Sequence, residues 1–266
     1  MTFIDSHVHM FSRTTDDYKL MSAAGIEAVV EPAFWLGSDR SSKHSFYDYF
    51  SHILETEAAR AAKYGIHHFC CIGVNAKESD KLEFAMETVK GMEDFLRHPH
   101  CVAVGEIGYN NITENEEKVF IAQCEMAIEH KLPIVVHSPH FNKKKGIERI
   151  VKNIHDLGID EDLVLIDHNT EETIPVIANT DFWKGFTLYP TKMSPERTVD
   201  VLEQYGYDKM IVNSSADWSD SDPLAVPKTG ALMRQRRIPR AIIKKVLYDN
   251  PYNFYKKSGR FDCSNT

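Results

Sequence analysis

Eight short runs rich in branched and aromatic residues alternate along the chain with longer segments of helical periodicity, and this alternation restricts the fold more than any single motif does. The runs span residues 2–9, 27–33, 67–74, 102–108, 133–138, 163–168, 185–189 and 210–215. Between them lie amphipathic patterns such as 116–130, where Phe120, Cys124, Ala127 and Ile128 fall on one helical face. A strand, a helical crossover and a second strand make a parallel pair, so eight such units in 266 residues predict an α/β fold closed into a (β/α)8 TIM barrel. No internal repeat, low-complexity tract or linker divides the chain, and one domain over 1–266 is expected. Pro251, after Asp249-Asn250, is expected to interrupt the last helical region.

Such a barrel gathers the carboxyl ends of its strands on one face, where loops build a binding surface. The ends of these runs carry nitrogen and oxygen ligands. The first run ends His7-Val8-His9, and side chains two apart on an extended strand share a face, so two imidazoles can aim at one point. The fourth ends Val104-Gly105-Glu106-Ile107-Gly108, the fifth Val136-His137-Ser138 and the sixth Ile166-Asp167-His168. The eighth continues Asn213-Ser214-Ser215-Ala216-Asp217. His7, His9, Glu106, His137, His168 and Asp217 exceed the needs of one four-coordinate ion, which predicts two neighbouring divalent ions with Glu106 as a shared carboxylate.

Imidazoles suit zinc, manganese, iron or nickel, whereas a site for magnesium alone would use fewer nitrogens. A pair of divalent ions lowers the pKa of bound water and polarises an electrophilic oxygen, so the expected chemistry is hydrolysis. Glu106 as the bridge, and Asp217 as the group that orients the attacking water and accepts its proton, are the expected catalytic residues. Asp167 should point away from His168 in a strand and is not expected at the metals.

These motifs resemble those of TatD-type metal-dependent hydrolases within the amidohydrolase superfamily, across essentially the whole chain. The resemblance rests on His7-Val8-His9, Gly105-Glu106-Ile107-Gly108, His137-Ser138, His168, Asp217 and the late Asn250-Pro251. It implies that His7, His9, Glu106 and Asp217 hold one ion while Glu106, His137 and His168 hold the other. Zinc, manganese or magnesium are the implied cofactors. Many TatD nucleases resemble Gly-Glu-Ile-Gly-Leu-Asp followed by aromatic and arginine residues, whereas Gly108 here precedes Tyr109-Asn110-Asn111-Ile112. Their arginine after His-Ser is replaced by Pro139, and Glu171 and Glu172 add negative charge after His168, so a divergent branch is expected.

The second run continues Ala33-Phe34-Trp35 toward Arg40, a combination suited to a compact organic anion or aromatic metabolite. Trp35, Arg40 and His140 are therefore the expected substrate contacts. Tyr189, Lys192 and Trp218 share the rim, and Lys143-Lys144-Lys145 reads as a solvated helix end. The net charge of −8 gives no general attraction for a polyanion or an acidic membrane face. A hydrolase for a small ester, lactone, amide or phosphoester is expected. The alternatives are a metal-dependent 3′–5′ exodeoxyribonuclease, a protein that binds and delivers a metabolite without turnover, and metal-assisted isomerisation or decarboxylation. Cys70, Cys71, Cys101, Cys124 and Cys263 lack CxxC spacing and predict buried reduced thiols. With no run of 18 apolar residues and no basic-then-apolar leader, a cytoplasmic protein is expected.

Overall fold

The computed structural model describes residues 1–263. Its eight strands are β1 (Phe3–Asp5), β2 (Ile26–Pro32), β3 (His67–Ile72), β4 (Cys101–Gly108), β5 (Ile134–His137), β6 (Val164–Asp167), β7 (Trp183–Thr187) and β8 (Met210–Asn213). They lie in sequence order in one sheet and every pair is parallel, which is the expected (β/α)8 barrel. The seam between β8 and β1 is closed beyond the strands. Ser215 N donates to His7 O at 2.7 Å and His9 N donates to Ala216 O at 2.8 Å. The segments that complete the ring are thus the ones carrying His7, His9 and Asp217.

Alternation along each strand sorts side chains into two cores. Ile4, Val30, Cys71, Val135, Leu165 and Ile211 fill the barrel interior together with Phe254, Tyr255 and Phe261 from the end of the chain. Val29, Ile72, Val104, Val136, Ile166 and Val212 face outward against helix residues such as Phe120, Ile150 and Val199. Each such large apolar side chain contributes about 1.5–3 kcal/mol on leaving water.

Helix Glu114–His130 is started by a capping box between Thr113 and Glu116 and stopped by left-handed Lys131. Phe120, Cys124 and Ala127 are buried as expected, but Ile128 is 52 % exposed. The buried face runs through Val119, Phe120, Gln123, Cys124 and Ala127, and Ile128 lies one helical step beyond it.

Pro251 does not break the last helical region, which runs without interruption from Arg240–Lys244 through the π-helical turn Lys245–Asp249 into Asn250–Tyr255; the wide turn just before Pro251 accommodates its ring and its missing N–H. Asn250 Nδ2 donates to Tyr207 O at 2.8 Å and Met210 O at 2.7 Å, tying this helix to the start of β8. All five cysteines are buried and free. Among the described residues no helix is long and apolar enough to cross a membrane.

Candidate metal centre at the barrel mouth

The strands are shorter than the sequence pattern predicts, so His7, His9, His168 and Asp217 lie just beyond the strands that aim them. In β6, Leu165 belongs to the interior core, and alternation points Asp167 inward too and the next residue outward. The chain reverses that outcome at His168, whose φ of 61° turns its ring back toward the axis. Asp167 is therefore a central member of the site, contrary to the strand-period expectation. Gly185 on β7 makes room for it, since a Cβ there would stand 2.2 Å from Asp167 Oδ1.

Asp167 fixes the imidazoles around it. Its Oδ2 accepts from His7 Nδ1 at 2.7 Å, leaving the His7 Nε2 lone pair free. Asn213 Nδ2 donates to both Asp167 oxygens at 3.0 Å, and His168 N donates to Oδ1 at 2.7 Å. The Thr187 hydroxyl donates to Asn213 Oδ1 at 2.9 Å and so accepts from His168 Nδ1 at 2.6 Å, which leaves His168 Nε2 bare.

These bare nitrogens converge on Glu106. Its Oε2 lies 3.6 Å from His7 Nε2, 3.1 Å from His137 Nδ1 and 3.3 Å from His168 Nε2, while Asn75 Nδ2 holds Oε1 at 3.0 Å. His168 Nε2 is 3.1 Å from His137 Nδ1, and His7 Nε2 is 3.2 Å from His9 Nε2. Two ligands about 2.0–2.1 Å from a tetrahedral ion stand about 3.3 Å apart, so these separations suit atoms sharing a divalent cation. The remaining ring nitrogens His9 Nδ1 and His137 Nε2 are buried without hydrogen-bond partners among the described residues. Nitrogen-rich and buried, the donor set fits a divalent metal.

The electrostatics agree. Burial pushes the Glu106 carboxyl up, but His137 and His7 outweigh it and hold the group well below the usual carboxylate range. Burial lowers His9 to about 3, with His7 beside it adding to the shift. Burial, then the Lys192 ammonium, lower His168, and burial lowers His137. Burial also disfavours charged His7, yet Glu106 and Asp167 together leave its pKa raised. Neutral His9, His137 and His168 around an ionised carboxylate are the protonation states a metal requires of its ligands, and His7, whose proton the carboxylates favour, would give up its Nε2 proton to the metal.

A cavity of about 220 Å³ opens over this cluster. His9, Glu106, His137, His168 and Asp217 line it, as do Trp35 and His140. His7 lies buried alongside. The Asp217 carboxylate accepts from Tyr189 Oη at 3.0 Å, Ser219 N at 2.9 Å and Ser219 Oγ at 2.8 Å; no hydrogen bond or ion pair among the described residues joins it to a histidine.

Arg40 is not part of this lining. Its guanidinium pairs with buried Glu78, donates to Phe34 O at 3.2 Å and stacks 4.2 Å from the Phe46 ring centroid, so it supports the pocket wall from behind. Asn75, Lys77, Lys192 and Asp167 complete the surroundings. Asn75 ends a strand-like Gly73-Val74-Asn75 run, a polar strand terminus of the same type as the other ligands, and could have been singled out on that ground.

The sequence profile of the family described as TatD related DNase matches residues 4–256. The chain belongs to the TatD family. An uncharacterized metal-dependent hydrolase of Methanocaldococcus jannaschii is 28% identical to this TatD chain over 254 residues, covering 95% of it and 99% of the relative. A TatD-like protein from Archaeoglobus fulgidus superposes with a TM-score of 0.79 at 23% identity, over 96% of this chain and all of the other. The phosphotriesterase homology protein of Escherichia coli, crystallised with phosphate in its active site, superposes at 0.70 with 15% identity, over 96% and 98% of the two chains. At these identities the superpositions establish a shared barrel fold.

Proposed function

We propose that this TatD-family metal-dependent hydrolase cleaves a small ester, lactone, amide or phosphoester, as one domain over residues 1–266 in the cytoplasm. The observation that carries the reading is Glu106 Oε2 with imidazole nitrogens of His7, His137 and His168 gathered around it at the foot of a small cavity. His7, His9, Glu106 and Asp217 would hold one divalent ion and Glu106, His137 and His168 a second, with zinc, manganese or magnesium as the ions. Bound there, such ions supply a nucleophilic water at neutral pH and polarise the scissile oxygen.

The chain's own residues do the rest. Asp167, Thr187 and Asn213 hold His7 and His168 in the tautomers that present Nε2. Asn75 keeps Glu106 from rotating. Asp217, lowered below the usual carboxylate range because the Ser219 hydrogen bonds outweigh its burial, is ionised and placed at the pocket wall to accept the proton of the attacking water. Water adds to the electrophilic carbon or phosphorus, the bond to the leaving oxygen or nitrogen breaks, and the leaving group takes up a proton. Trp35 and His140 contact the substrate.

Elemental analysis of the purified protein, joined to turnover of a panel of esters, lactones, amides and phosphoesters by wild type and Glu106→Gln, tests this. Metal without turnover of any member would sink it. The family description favours one second reading, removal of nucleotides from DNA ends. Release of label from single-stranded DNA with magnesium or manganese, abolished by Glu106→Gln, would establish that instead.

A further inference from the structure

We infer that Lys192, assisted by Lys77, forms an anion subsite beside the metal centre, so that the preferred substrates carry a carboxylate or phosphate a few bonds from the one cleaved. The inference rests on the hydrolytic reading above for the word substrate, and on the lysines themselves for the subsite. Both residues line the mouth cavity, and each ammonium stands near an aromatic ring of its wall. Lys77 Nζ is 4.5 Å from the Trp35 ring centroid and Lys192 Nζ is 5.2 Å from that of Tyr189.

Lys209, by comparison, is held by Asp162 and Asp181, both at 2.6 Å. Among the described residues, no carboxylate lies within ion-pair distance of Lys192 or Lys77. Lys192 Nζ stands 3.2 Å from His168 Nδ1 and 3.5 Å from Nε2. Near-equal distances to both ring nitrogens place it over the ring, off either lone pair. His168 does not satisfy it.

The carboxylates facing Lys192 are Glu106, Asp167 and Asp217. Each has partners of its own: Asn75 and the imidazoles for Glu106, His7 and Asn213 for Asp167, Tyr189 and Ser219 for Asp217. The ammonium is left with donors to give inside the cavity, and an oxyanion is the group that takes them. Phe34, between His9 and Trp218, gives the cavity an apolar face beside the lysines.

The test uses three hydroxamic acids of equal chain length, whose common headgroup chelates metal and whose tails end in methyl, carboxylate or phosphonate. Their Kd values are measured by calorimetry on the metal-loaded enzyme. A charge-assisted hydrogen bond predicts that an anionic tail binds at least about tenfold more tightly than the methyl tail. Lys192→Gln should cut that ratio below about twofold, Lys77→Gln should reduce it less, and Lys192→Arg should keep it. The larger ratio, carboxylate or phosphonate, names the group recognised.

Equal affinities for charged and uncharged tails, no binding by any of the three, or a preference that survives both glutamine variants would overturn the subsite. A tail preference that persists while no ester, lactone, amide or phosphoester is turned over would keep the subsite and remove the hydrolytic reading. Turnover with no tail preference would do the reverse.

Discussion

Glu31 and Glu106 are both buried, both touch imidazole, and both sit on strands of the same barrel, yet their carboxyls are shifted in opposite directions. Glu31 lies on the helix side of β2, where it accepts from Phe11 N at 2.8 Å and pairs with His68 Nε2 at 2.7 Å. Burial raises its pKa by more than His68 can offset. Glu106 is as deeply enclosed, but His137, His7 and His168 outweigh burial and its pKa falls well below the ordinary range. At Glu31 each oxygen has one partner and the pair is closed. At Glu106 one oxygen faces three nitrogens, two of which have already committed their protons elsewhere. A buried glutamate–histidine contact is thus no sign of a metal centre; an excess of converging lone pairs is.

The sharpest way to break this contrast is to neutralise each glutamate in turn. Glu106→Gln should lower hydrolytic turnover by about a thousandfold or more and empty the site, as read by steady-state kinetics and elemental analysis. Glu31→Gln should leave turnover within about threefold of wild type. The next effect concerns Asp167, which orients His7 without being a proposed ligand. Asp167→Asn should weaken metal binding by about 10–100-fold in a competition titration against a chelating dye.

Stability should separate the two sites as well. Removing one partner of the closed Glu31–His68 pair, as in His68→Leu, should cost about 3 kcal/mol in chemical denaturation. The pH dependence carries a sign that separates the two glutamates in chelator-treated protein. Because the folded pKa of Glu31 is raised above its ordinary 4.5, the stability it gives is fully present below that value and is lost as pH rises through the folded pKa. Glu106 is depressed, so its contribution is present above its ordinary value and lost as pH falls. The cost of Glu31→Gln should therefore shrink between pH 4 and pH 7 while that of Glu106→Gln grows, measured by urea titration at about those pH values. The smallest catalytic effect belongs to Arg40, which supports the wall from behind. Arg40→Met should change kcat/KM by less than about twofold, while its broken pair with Glu78 lowers the denaturation midpoint.

The alternation of eight apolar runs with helical segments sufficed to read the barrel, because parallel strands buried on both faces leave few other arrangements. The six proposed ligands could be picked out for the same reason: the fold brings strand termini to one face, and polar residues are conspicuous at the end of an apolar run. What the pattern could not supply was backbone conformation at single residues. Reading strand through His168 put Asp167 on the wrong side, because a left-handed turn at one position is invisible to period-two alternation. The helix does run through Ile128, but placing that residue on its buried face overran the face by one step. Arg40 looked like a pocket cation because its partner Glu78 lies 38 residues away, and only the folded chain brings the two together.

The central claim is that hydrolysis depends on cations held by Glu106 and the histidines around it. Its most direct test is to measure metal content and turnover together on one preparation as metal is stripped by chelator and then restored. The account predicts that turnover of the best substrate falls with the bound metal, returns with it in wild type, and does not return in Glu106→Gln. Undiminished turnover by stripped protein, or full recovery in Glu106→Gln, would contradict it.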